Sequence, residues 1–555
     1  MKVITLFFLV LLLAGCQAVP LPTIAPQANV PIPPPPTSPV TPAGMVTLAT
    51  ITPTPPAGAY LIFAPKGIPA GVVSAIDQAI QQSPGRFAWT SDEGAAHVHL
   101  ALNSGEPLAT WVYALAAPFA TVADEADLAD VQAAWQGSGP QPLLLGKDDA
   151  QTLALWWQGT PPVTDQERGT LQIVPAGELI SRLWDSRPAW TILPFDALTP
   201  ELKVLRLAGQ SPLDKEFDPA GYPLTLNVGL TGDSQAVAEL RALWPGRVTN
   251  RDPQQLTYVA MTGVTALVRA TAYQMELNGI LYPGEEVGPV LRAADIAHIS
   301  NEVAFAADCP PPDPVGGTTF CSSTSYLDLL TDIGTDVVEL TGNHVNDWGA
   351  DNLSATLDMY DAAGMTYFGG GRDLAEAEQP LTLTHNGNRI AFVGCNPVGP
   401  SYAWASTFAA GSQPCDYAAL YDQIASLREE GYLVIATQQY LEIYDYAPTG
   451  QQALDFQALA EAGAAAVSGS QGHHAQGFAF HEGAFIHYGL GNLFFDQMDA
   501  LGTRQTFVDN YVIYQGRLLS VDLWTGLIEN YARPRLMTSD ERGQLLRATF
   551  AASGW

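Results

Sequence analysis

Hydrophobic and polar residues repeat with one pattern four times in the second half of the chain. Each copy has an amphipathic helical stretch, a closing glycine, a short apolar strand and a polar cluster. The glycine predicts a left-handed cap that ends the helix. Helices that alternate with strands predict right-handed crossovers and a largely parallel sheet that is covered on both faces. The four copies cover residues 326–344, 353–371, 421–442 and 453–474.

The polar clusters fall where the predicted strands end, which is where sheets of this kind bind their ligands. We therefore expect the clustered side chains to share one site. Imidazole, carboxylate and amide oxygen together suit a divalent metal ion such as Zn, Mn or Fe. The same groups also suit a polar solute held by hydrogen bonds, so both interpretations stay open. The residues are Asn343, His344, Gln438, Glu442, His473 and His474.

The first half of the chain, residues 60–244, mixes short apolar runs with amphipathic stretches. Residues 60–65 have the pattern of a strand, and residues 70–82 have helical spacing. Residues 120–137 and 190–209 resemble segments of periplasmic solute-binding proteins. This resemblance implies an α/β domain with a ligand cleft. The alternative is an α/β domain without a ligand that serves as a spacer or interaction module.

The amino end combines one lysine, an apolar run and the sequence Leu13-Ala14-Gly15-Cys16. The run is shorter than the roughly 20 residues that span a bilayer and is typical of a secretory signal peptide. The small residues before Cys16 resemble the lipobox of bacterial lipoproteins, which implies cleavage before Cys16 and lipidation of its thiol. The alternative is an ordinary signal peptide with an incidental cysteine. We expect a lipid anchor on the extracytoplasmic face of the cell membrane.

Charge separates the amino end from the rest of the chain, since no Asp, Glu, Lys or Arg occurs between Lys2 and Lys66. Residues 17–58 are rich in proline and predict an extended spacer of the polyproline type. The whole chain has 24 Lys and Arg against 56 Asp and Glu, a net charge of −32. This balance excludes nucleic acid as the main partner, because phosphate binding draws on clustered basic residues.

Four cysteines follow Cys16, and an even number in an exported chain favours disulfides. The simplest pairing joins Cys309 to Cys321 and Cys395 to Cys415, although four cysteines allow three pairings. A zinc site is the competing interpretation, but no CxxC spacing supports it.

Five motifs follow one another in order between residues 257 and 498. They are AADIAHISNEVAF at 293–305, LTGNHVNDWG at 340–349, YFGGGRDLAEAEQP at 367–380, GSQGHH at 469–474 and IHYGLGNLFFDQ at 486–497. In order and spacing these motifs resemble the CapA family of bacterial capsule and poly-γ-glutamate synthesis proteins, whose domain is related to calcineurin-like metallophosphatases. The resemblance implies an α/β fold in which a four-layer metallophosphatase-like sheet domain is preceded by a smaller α/β domain.

The resemblance also implies roles for individual residues at the strand ends. It implies catalytic roles for Glu302, His344, Asp347 and Glu442. It implies a divalent metal ion held by residues from the set Asn301, Glu302, Asn343, His344, His473 and His474.

Two positions depart from the family pattern. The family opens with a strand that ends in Gly-Asp, whereas Val264 follows the glycine here. The segment that corresponds to the family's His-Trp-Gly-x-Glu keeps Glu442 but has Gln438 at the histidine position. These replacements remove one carboxylate and one imidazole, so we expect one metal ion or none.

Together these patterns predict a cell-surface lipoprotein that acts in the synthesis, export or anchoring of a capsule or poly-γ-glutamate-like polymer. It would act as a metal-dependent hydrolase or transferase, of phosphoesterase or amidase type. The alternative is a non-catalytic surface lipoprotein that binds a polymer or solute through a degenerate metal site. The expected divisions are a signal peptide at 1–16, a linker at 17–58, an α/β domain at 59–250, the CapA-like domain at 251–505 and strands at 506–555 that complete it.

The expected partners are the membrane, through the lipid anchor, and an anionic extracellular polymer or its synthesis machinery. A net charge of −32 repels a polyanion unless a metal ion or a local basic patch intervenes. Arg269, Arg292 and Arg372 are the candidates for such a patch, and the alternative is that they are ordinary surface residues.

Overall fold

The computed structural model describes residue 56 and residues 58–104, 107–157, 169–244, 246 and 248–555. The predicted signal peptide, Cys16 and nearly all of the proline-rich linker lie outside the described residues. The described residues from 56 to 555 cluster as one compact unit. In the described part of the chain, every helix is too short or too polar to cross a membrane.

The first region, residues 60–249, is built around a mixed sheet of eight strands in the order β12-β4-β11-β3-β1-β2, with β8 and β9 paired to the far end of β4. Its strands are β1 Tyr60–Phe63, β2 Phe87–Trp89, β3 Val98–Leu102, β4 Pro107–Pro118, β5 Glu125–Ala126, β6 Leu143–Gly146, β7 Leu171–Val174, β8 Thr191–Pro194, β9 Leu202–Val204, β10 Arg206–Leu207, β11 Thr225–Gly232 and β12 Val248–Thr249. Its helices are α1 Ala70–Gln82, α2 Leu128–Trp135, α3 Lys147–Trp156, α4 Leu179–Asp185 and α5 Ser234–Ala242. Helix α1 has the bounds that its spacing predicts.

The second region contains two larger sheets. Its strands are β13 Leu256–Thr262, β14 Val264–Thr265, β15 Ile296–Asn301, β16 Phe305–Ala306, β17 Ser322–Ser323, β18 Val337–Glu339, β19 Thr366–Phe368, β20 Gly370–Gly371, β21 Leu381–His385, β22 Asn388–Cys395, β23 Gly411–Ser412, β24 Leu433–Gln438, β25 Ala466–Ser468, β26 Phe478–His481, β27 Ala484–His487, β28 Asn492–Phe494, β29 Gln505–Tyr514, β30 Arg517–Glu529 and β31 Arg533–Leu536. Its helices are α6 Arg269–Asn278, α7 Gly288–Ala293, α8 Leu327–Asp332, α9 Ala350–Ala363, α10 Leu374–Ala377, α11 Tyr417–Glu429, α12 Gly450–Ala462, α13 Leu501–Arg504 and α14 Ser539–Ala552.

One of these sheets runs in the order β19-β18-β15-β13-β29-β30-β31, with β14 joining β15 to β28. The other runs in the order β21-β22-β24-β25-β27-β26. The central strands of both sheets are parallel, from β13 to β19 and from β22 to β27. Antiparallel strands extend both sheets, and the long hairpin of β29 and β30 widens the first.

The two sheets pack face to face, with helices on both outer sides. Met261 and Ile296 of one sheet share a buried cluster with Phe392 and Ile435 of the other. A second cluster packs helices α8 and α9 on the first sheet, and a third packs helices α11 and α12 on the second. This order of helix, sheet, sheet and helix confirms the expected four-layer α/β fold.

The four repeated units adopt the predicted form, because helices α8, α9, α11 and α12 each lead through a glycine into a parallel strand. Gly364 and Gly463 end two of these helices with left-handed φ values of 77° and 119°. A residue with a Cβ is disfavoured in this conformation, which explains the glycine. The parallel strands deliver the polar clusters to one edge of the sheets.

Aromatic and charged contacts join the first region to the second. The Phe119 ring lies 5.4 Å from Phe478 and 6.1 Å from Trp555, measured between ring centroids. Arg542 donates two hydrogen bonds to Asp124, at 2.8 and 2.9 Å. Residues far apart in the sequence therefore share one buried interface.

Both expected disulfides are present. Cys309 is bonded to Cys321, with Cα atoms 5.7 Å apart, and Cys395 is bonded to Cys415, with Cα atoms 5.1 Å apart. This confirms the simplest pairing and removes the zinc interpretation of these cysteines.

Candidate functional site

The candidate site lies where strands of both sheets end. Glu302 follows β15, His344 follows β18, Glu442 follows β24 and His473 follows β25. A hydrogen bond from Gln471 to Ser300 ties the loop after β25 to strand β15. The fold therefore brings together side chains that are up to about 170 residues apart in the sequence.

Glu302 lies at the centre of this site and is fully buried. Neither oxygen of its carboxylate has a hydrogen-bond partner. Burial raises the pKa of Glu302, although the charges of His473 and His344 oppose the shift. A buried, unpartnered carboxylate is costly, so it requires either a proton or a cation.

His344 occupies one side of the site and is held by Asp347. The distance from His344 Nδ1 to Asp347 Oδ2 is 2.6 Å. Asp347 also accepts hydrogen bonds from the Phe320 backbone N–H at 2.9 Å and the Tyr402 hydroxyl at 3.1 Å. Burial lowers the pKa of His344, but the hydrogen bond to Asp347 and the charge of Glu302 outweigh it and raise the pKa overall. We call Phe320, His344, Asp347 and Tyr402 the His344 arm.

His473 occupies the other side. Its Nδ1 lies 2.8 Å from Asn492 Oδ1, and its Nε2 lies 3.5 Å from Glu442 Oε1. The Tyr444 hydroxyl donates to Glu442 at 2.7 Å, and the Phe495 ring stacks on His473 at a centroid distance of 5.1 Å. We call Glu442, Tyr444, His473, Asn492 and Phe495 the His473 arm.

The His473 arm contains an ion pair. Interaction with His473 lowers the pKa of Glu442 to about 2. Burial lowers the pKa of His473, but the interaction with Glu442, together with the charge of Glu302, raises it to about 9. The two carboxylates therefore favour the imidazolium form of His473 over the neutral ring.

Arg269 contacts an aromatic ring of each arm. Its guanidinium carbon lies 5.0 Å from the Phe320 ring centroid and 4.9 Å from that of Phe495. Asp496 fixes the guanidinium through a pair of hydrogen bonds, one of them from Arg269 Nε at 3.1 Å. Arg269 thus supports the ring that packs on each site histidine.

The three arginines considered for a basic patch are all paired with acids. Arg269 binds Asp496, and Arg292 lies 3.2 Å from Asp332. Arg372 contacts a cluster of carboxylates on Asp358, Asp361 and Glu376. Their charges are locally balanced, so they do not form the basic patch that an anionic polymer would need.

The two asparagines of the implied ligand set each keep one unpartnered oxygen. Asn301 donates its amide to the Tyr360 hydroxyl at 2.7 Å, while its Oδ1 is buried without a partner. Asn343 Oδ1 is also buried without a partner. Both oxygens are available as acceptors or ligands.

His474 is engaged away from the two arms. Its Nδ1 lies 2.7 Å from the Ala475 carbonyl oxygen, and its ring lies 4.7 Å from that of Tyr446. A Cβ at Gly502 would collide with this imidazole. The structure therefore places His473 and its neighbour His474 in different surroundings.

The two positions that depart from the family pattern are both buried. Val264 is buried in strand β14. Gln438 Nε2 donates to the Tyr417 hydroxyl at 3.0 Å and lies 3.8 and 3.9 Å from the sulfurs of Cys395 and Cys415. Gln438 thus contacts the second disulfide through its amide nitrogen, while its Oε1 is buried without a partner.

The remaining donor set fits a divalent cation in its chemistry. Glu302 offers an unpartnered carboxylate, and the Nδ1 hydrogen bonds of His344 and His473 leave Nε2 as the ligating nitrogen of each ring. Among the described residues, however, no three His, Cys, Asp or Glu side chains are grouped closely enough to enclose an ion. The site therefore has suitable ligands, but these side chains would have to move closer to one another to bind a metal ion.

Several residues in or beside the two arms could not be identified as site residues from the sequence. Phe320, Tyr402 and Tyr444 have no motif of their own, and Arg269 is noticed only as a basic residue. The available signal is position, since Phe320 directly precedes Cys321 and Tyr444 lies two residues after Glu442. Their contacts with the site depend on the tertiary structure.

Comparison with known proteins finds relatives for this part of the chain. Residues 258–497 match the family described as "Bacterial capsule synthesis protein PGA_cap". "Capsule biosynthesis protein CapA" of Bacillus anthracis is 28% identical over 274 residues, covering 47% of this chain and 66% of that protein. "PGA biosynthesis protein CapA" of Bacillus subtilis (strain 168) is 24% identical over 214 residues, covering 38% and 56%. The chain thus spans less than two thirds of the length of these relatives.

Solved structures show partial likeness at low identity. An ABC-type phosphate transport receptor from Vibrio cholerae is 11% identical, covers 34% of this chain and 93% of its own, and has a TM-score of 0.27. A putative 5'-nucleotidase from Staphylococcus aureus is 12% identical, covers 52% and 58%, and has a TM-score of 0.33. These scores are too low to assign a function.

Proposed function

We propose that this chain, whose residues 258–497 match the bacterial capsule synthesis family, is a member of the CapA family of capsule and poly-γ-glutamate synthesis proteins and serves an extracellular polymer at the cell envelope. It acts in the synthesis, export or anchoring of a capsule or poly-γ-glutamate-like polymer. Its partners are that polymer or the machinery that makes it.

The active centre of this proposal is the space between the two arms. The observation that supports it is the fully buried Glu302 carboxylate, whose two oxygens have no partner. Glu302, His344 and His473 would hold one divalent cation, with Asn343 and Glu442 as further oxygen donors. When bound, such a cation polarises a phosphoryl or carbonyl oxygen and lowers the pKa of a bound water.

The two arms supply the proton chemistry. Asp347 keeps a proton on His344 Nδ1, so that His344 Nε2 is the nitrogen that binds or exchanges a proton. Glu442 stabilises the second proton on the imidazole of His473 in the metal-free protein. Because metal ligands must be neutral imidazoles, His473 would have to give up this proton to serve as a ligand. This chemistry suits a hydrolase or transferase of phosphoesterase or amidase type.

The amino end places this site at the membrane surface. Acylation of Cys16 anchors the chain, and two or more acyl chains are needed for stable attachment. The uncharged linker then holds the folded regions away from the bilayer. Residues 59–250 form a separate solute-binding-like domain in this proposal, followed by the CapA-like domain.

A second function, a non-catalytic polymer- or solute-binding lipoprotein, is favoured by the ligand positions that Val264 and Gln438 occupy. The paired arginines and the net charge of −32 also disfavour turnover of a polyanion. Both functions share the fold and the anchor, and they differ in whether the site holds a metal ion.

Elemental analysis of the purified full chain distinguishes the two functions. The catalytic proposal expects one equivalent of divalent metal, which His344→Ala loses. His481→Ala is the matched control, because His481 is a partly exposed histidine that pairs with Glu461 outside the two arms. A metal-free wild type whose stability is unaffected by chelation would contradict catalysis and leave the binding function.

A further inference from the structure

The two disulfides close separate loops, and both loops reach the same carboxylate. Phe320 lies in the loop closed by Cys309–Cys321, and Tyr402 lies in the loop closed by Cys395–Cys415. Each contributes one hydrogen bond to Asp347. Asp347 therefore receives its partners from two covalently closed loops.

Phe320 makes two contacts with the His344 arm. Its backbone N–H donates to Asp347 Oδ2, the oxygen that also holds His344 Nδ1. Its ring, which is 5% exposed, packs on the imidazole at a centroid distance of 4.4 Å. Since Phe320 is adjacent to Cys321, the disulfide limits the movement of both contacts.

Tyr402 approaches Asp347 from the opposite loop. Its hydroxyl donates to Asp347 Oδ1 at 3.1 Å, although 58% of the residue is exposed. Asn346 fastens the same loop by donating to the Tyr402 carbonyl at 3.0 Å and to the Ala410 carbonyl at 2.7 Å. The loop is thus docked on the turn that carries His344.

The His473 arm is held in a different way. Asn492 is the first residue of strand β28, and Phe495 directly follows that strand. Tyr444, two residues after Glu442, orients the Glu442 carboxylate. Both disulfides of the described chain close loops that contact the other arm, and Cys395–Cys415 also contacts Gln438, four residues before Glu442. The two histidines thus provide an internal comparison.

We propose that Phe320 and Tyr402 are positioning residues for His344, and that the two disulfides hold these residues in contact with Asp347. This inference deepens the proposed function by assigning what orients one of its two histidines. Breaking either disulfide removes one hydrogen bond to Asp347, so the imidazole of His344 becomes less firmly oriented while His473 keeps its orientation.

The test uses the full chain, metal-free and labelled with ¹⁵N in its histidine rings. The ring-nitrogen NMR signals report the hydrogen bond at each imidazole. Tyr402→Phe is expected to shift the signals of His344 and to leave those of His473 in place, and Tyr444→Phe, the matched control, is expected to do the reverse. Phe320→Leu removes the ring but keeps the backbone N–H, and it is expected to shift His344 more than His473, because the Phe320 ring also contacts Phe495. Phe495→Leu is expected to shift His473 more than His344.

The disulfides are tested by two double variants, Cys309→Ser with Cys321→Ser and Cys395→Ser with Cys415→Ser. Each is expected to shift the His344 signals, and in a zinc titration each is expected to weaken binding about tenfold, as is usual when the support of a ligating histidine is lost. Leu153→Ala, a buried substitution in the first region, controls for lost stability alone. It is expected to leave both histidines unshifted.

His344 signals that match the wild type in Tyr402→Phe and Phe320→Leu would overturn the inference, whatever the cysteine variants do. Equal shifts at both histidines would also overturn it, because they indicate general loosening. The NMR readout needs no metal ion, so a chain that binds no divalent metal refutes metal-dependent catalysis without affecting this test.

Discussion

Replacing Glu302 by glutamine is expected to make the metal-free protein more stable and to abolish metal binding. Glutamine has nearly the shape of glutamate but no charge. In the structure, the Glu302 carboxylate is fully buried and both oxygens are unpartnered. An unsatisfied buried polar group costs about 1–3 kcal/mol, and more when it is charged. Glutamine is also unpartnered there, so the substitution removes only the added cost of the charge, and we expect it to raise the free energy of unfolding by about 1 kcal/mol at pH 8.

The gain should depend on pH in a defined direction. Burial raises the pKa of Glu302 above its ordinary value of 4.5. Below pH 4.5 the carboxyl is protonated in both the folded and unfolded states, so the variant and the wild type differ little. As the pH rises toward the raised pKa, the unfolded state ionises and the folded state does not, so the wild type loses stability. The advantage of glutamine should therefore grow with pH.

Urea denaturation of the full chain in EDTA at several pH values measures this difference. The control is Glu461→Gln, which removes an exposed carboxylate paired with His481 outside the site. Adding zinc at about 100 times its dissociation constant should stabilise the wild type by about 2.7 kcal/mol and leave Glu302→Gln unchanged. A glutamine variant that is less stable than the wild type at pH 8 in EDTA would show that the carboxylate has a stabilising partner, which refutes the reasoning.

Three further outcomes are expected. Phe119→Ala should lower the free energy of unfolding by about 4 kcal/mol, because the ring is buried in the aromatic interface between the two regions. Phe119→Leu should lower it by less. A loss below about 1 kcal/mol for Phe119→Ala in urea denaturation would contradict this packing. In a ¹⁵N NMR titration of the metal-free chain, His473 should lose its proton near pH 9, and Glu442→Gln should lower that midpoint; an ordinary midpoint in the wild type would argue against the ion pair. Cys16→Ser should move the chain from the membrane fraction to the soluble fraction, whereas continued membrane attachment would refute the lipid anchor.

Local patterns in the sequence determined the framework of the second region. Helical spacing, a closing glycine and an apolar run recur four times, and each copy forms a helix followed by a parallel strand. Because parallel strands end at the same edge, their polar residues could be assigned to one site before any contact was known. The short spacing of the cysteine pairs likewise suggested the disulfides that form.

The tertiary structure alone decided what each polar residue does. His473 and His474 are adjacent in sequence, yet one stacks on Phe495 and pairs with Glu442, while the other packs on Tyr446. Arg269 looked like a candidate for binding anions, but Asp496, 227 residues later, neutralises it. Periodicity predicts elements because it depends on neighbouring residues, whereas burial, pKa and hydrogen bonding depend on side chains brought from distant parts of the chain. The isolation of the Glu302 carboxylate is a property of that packing.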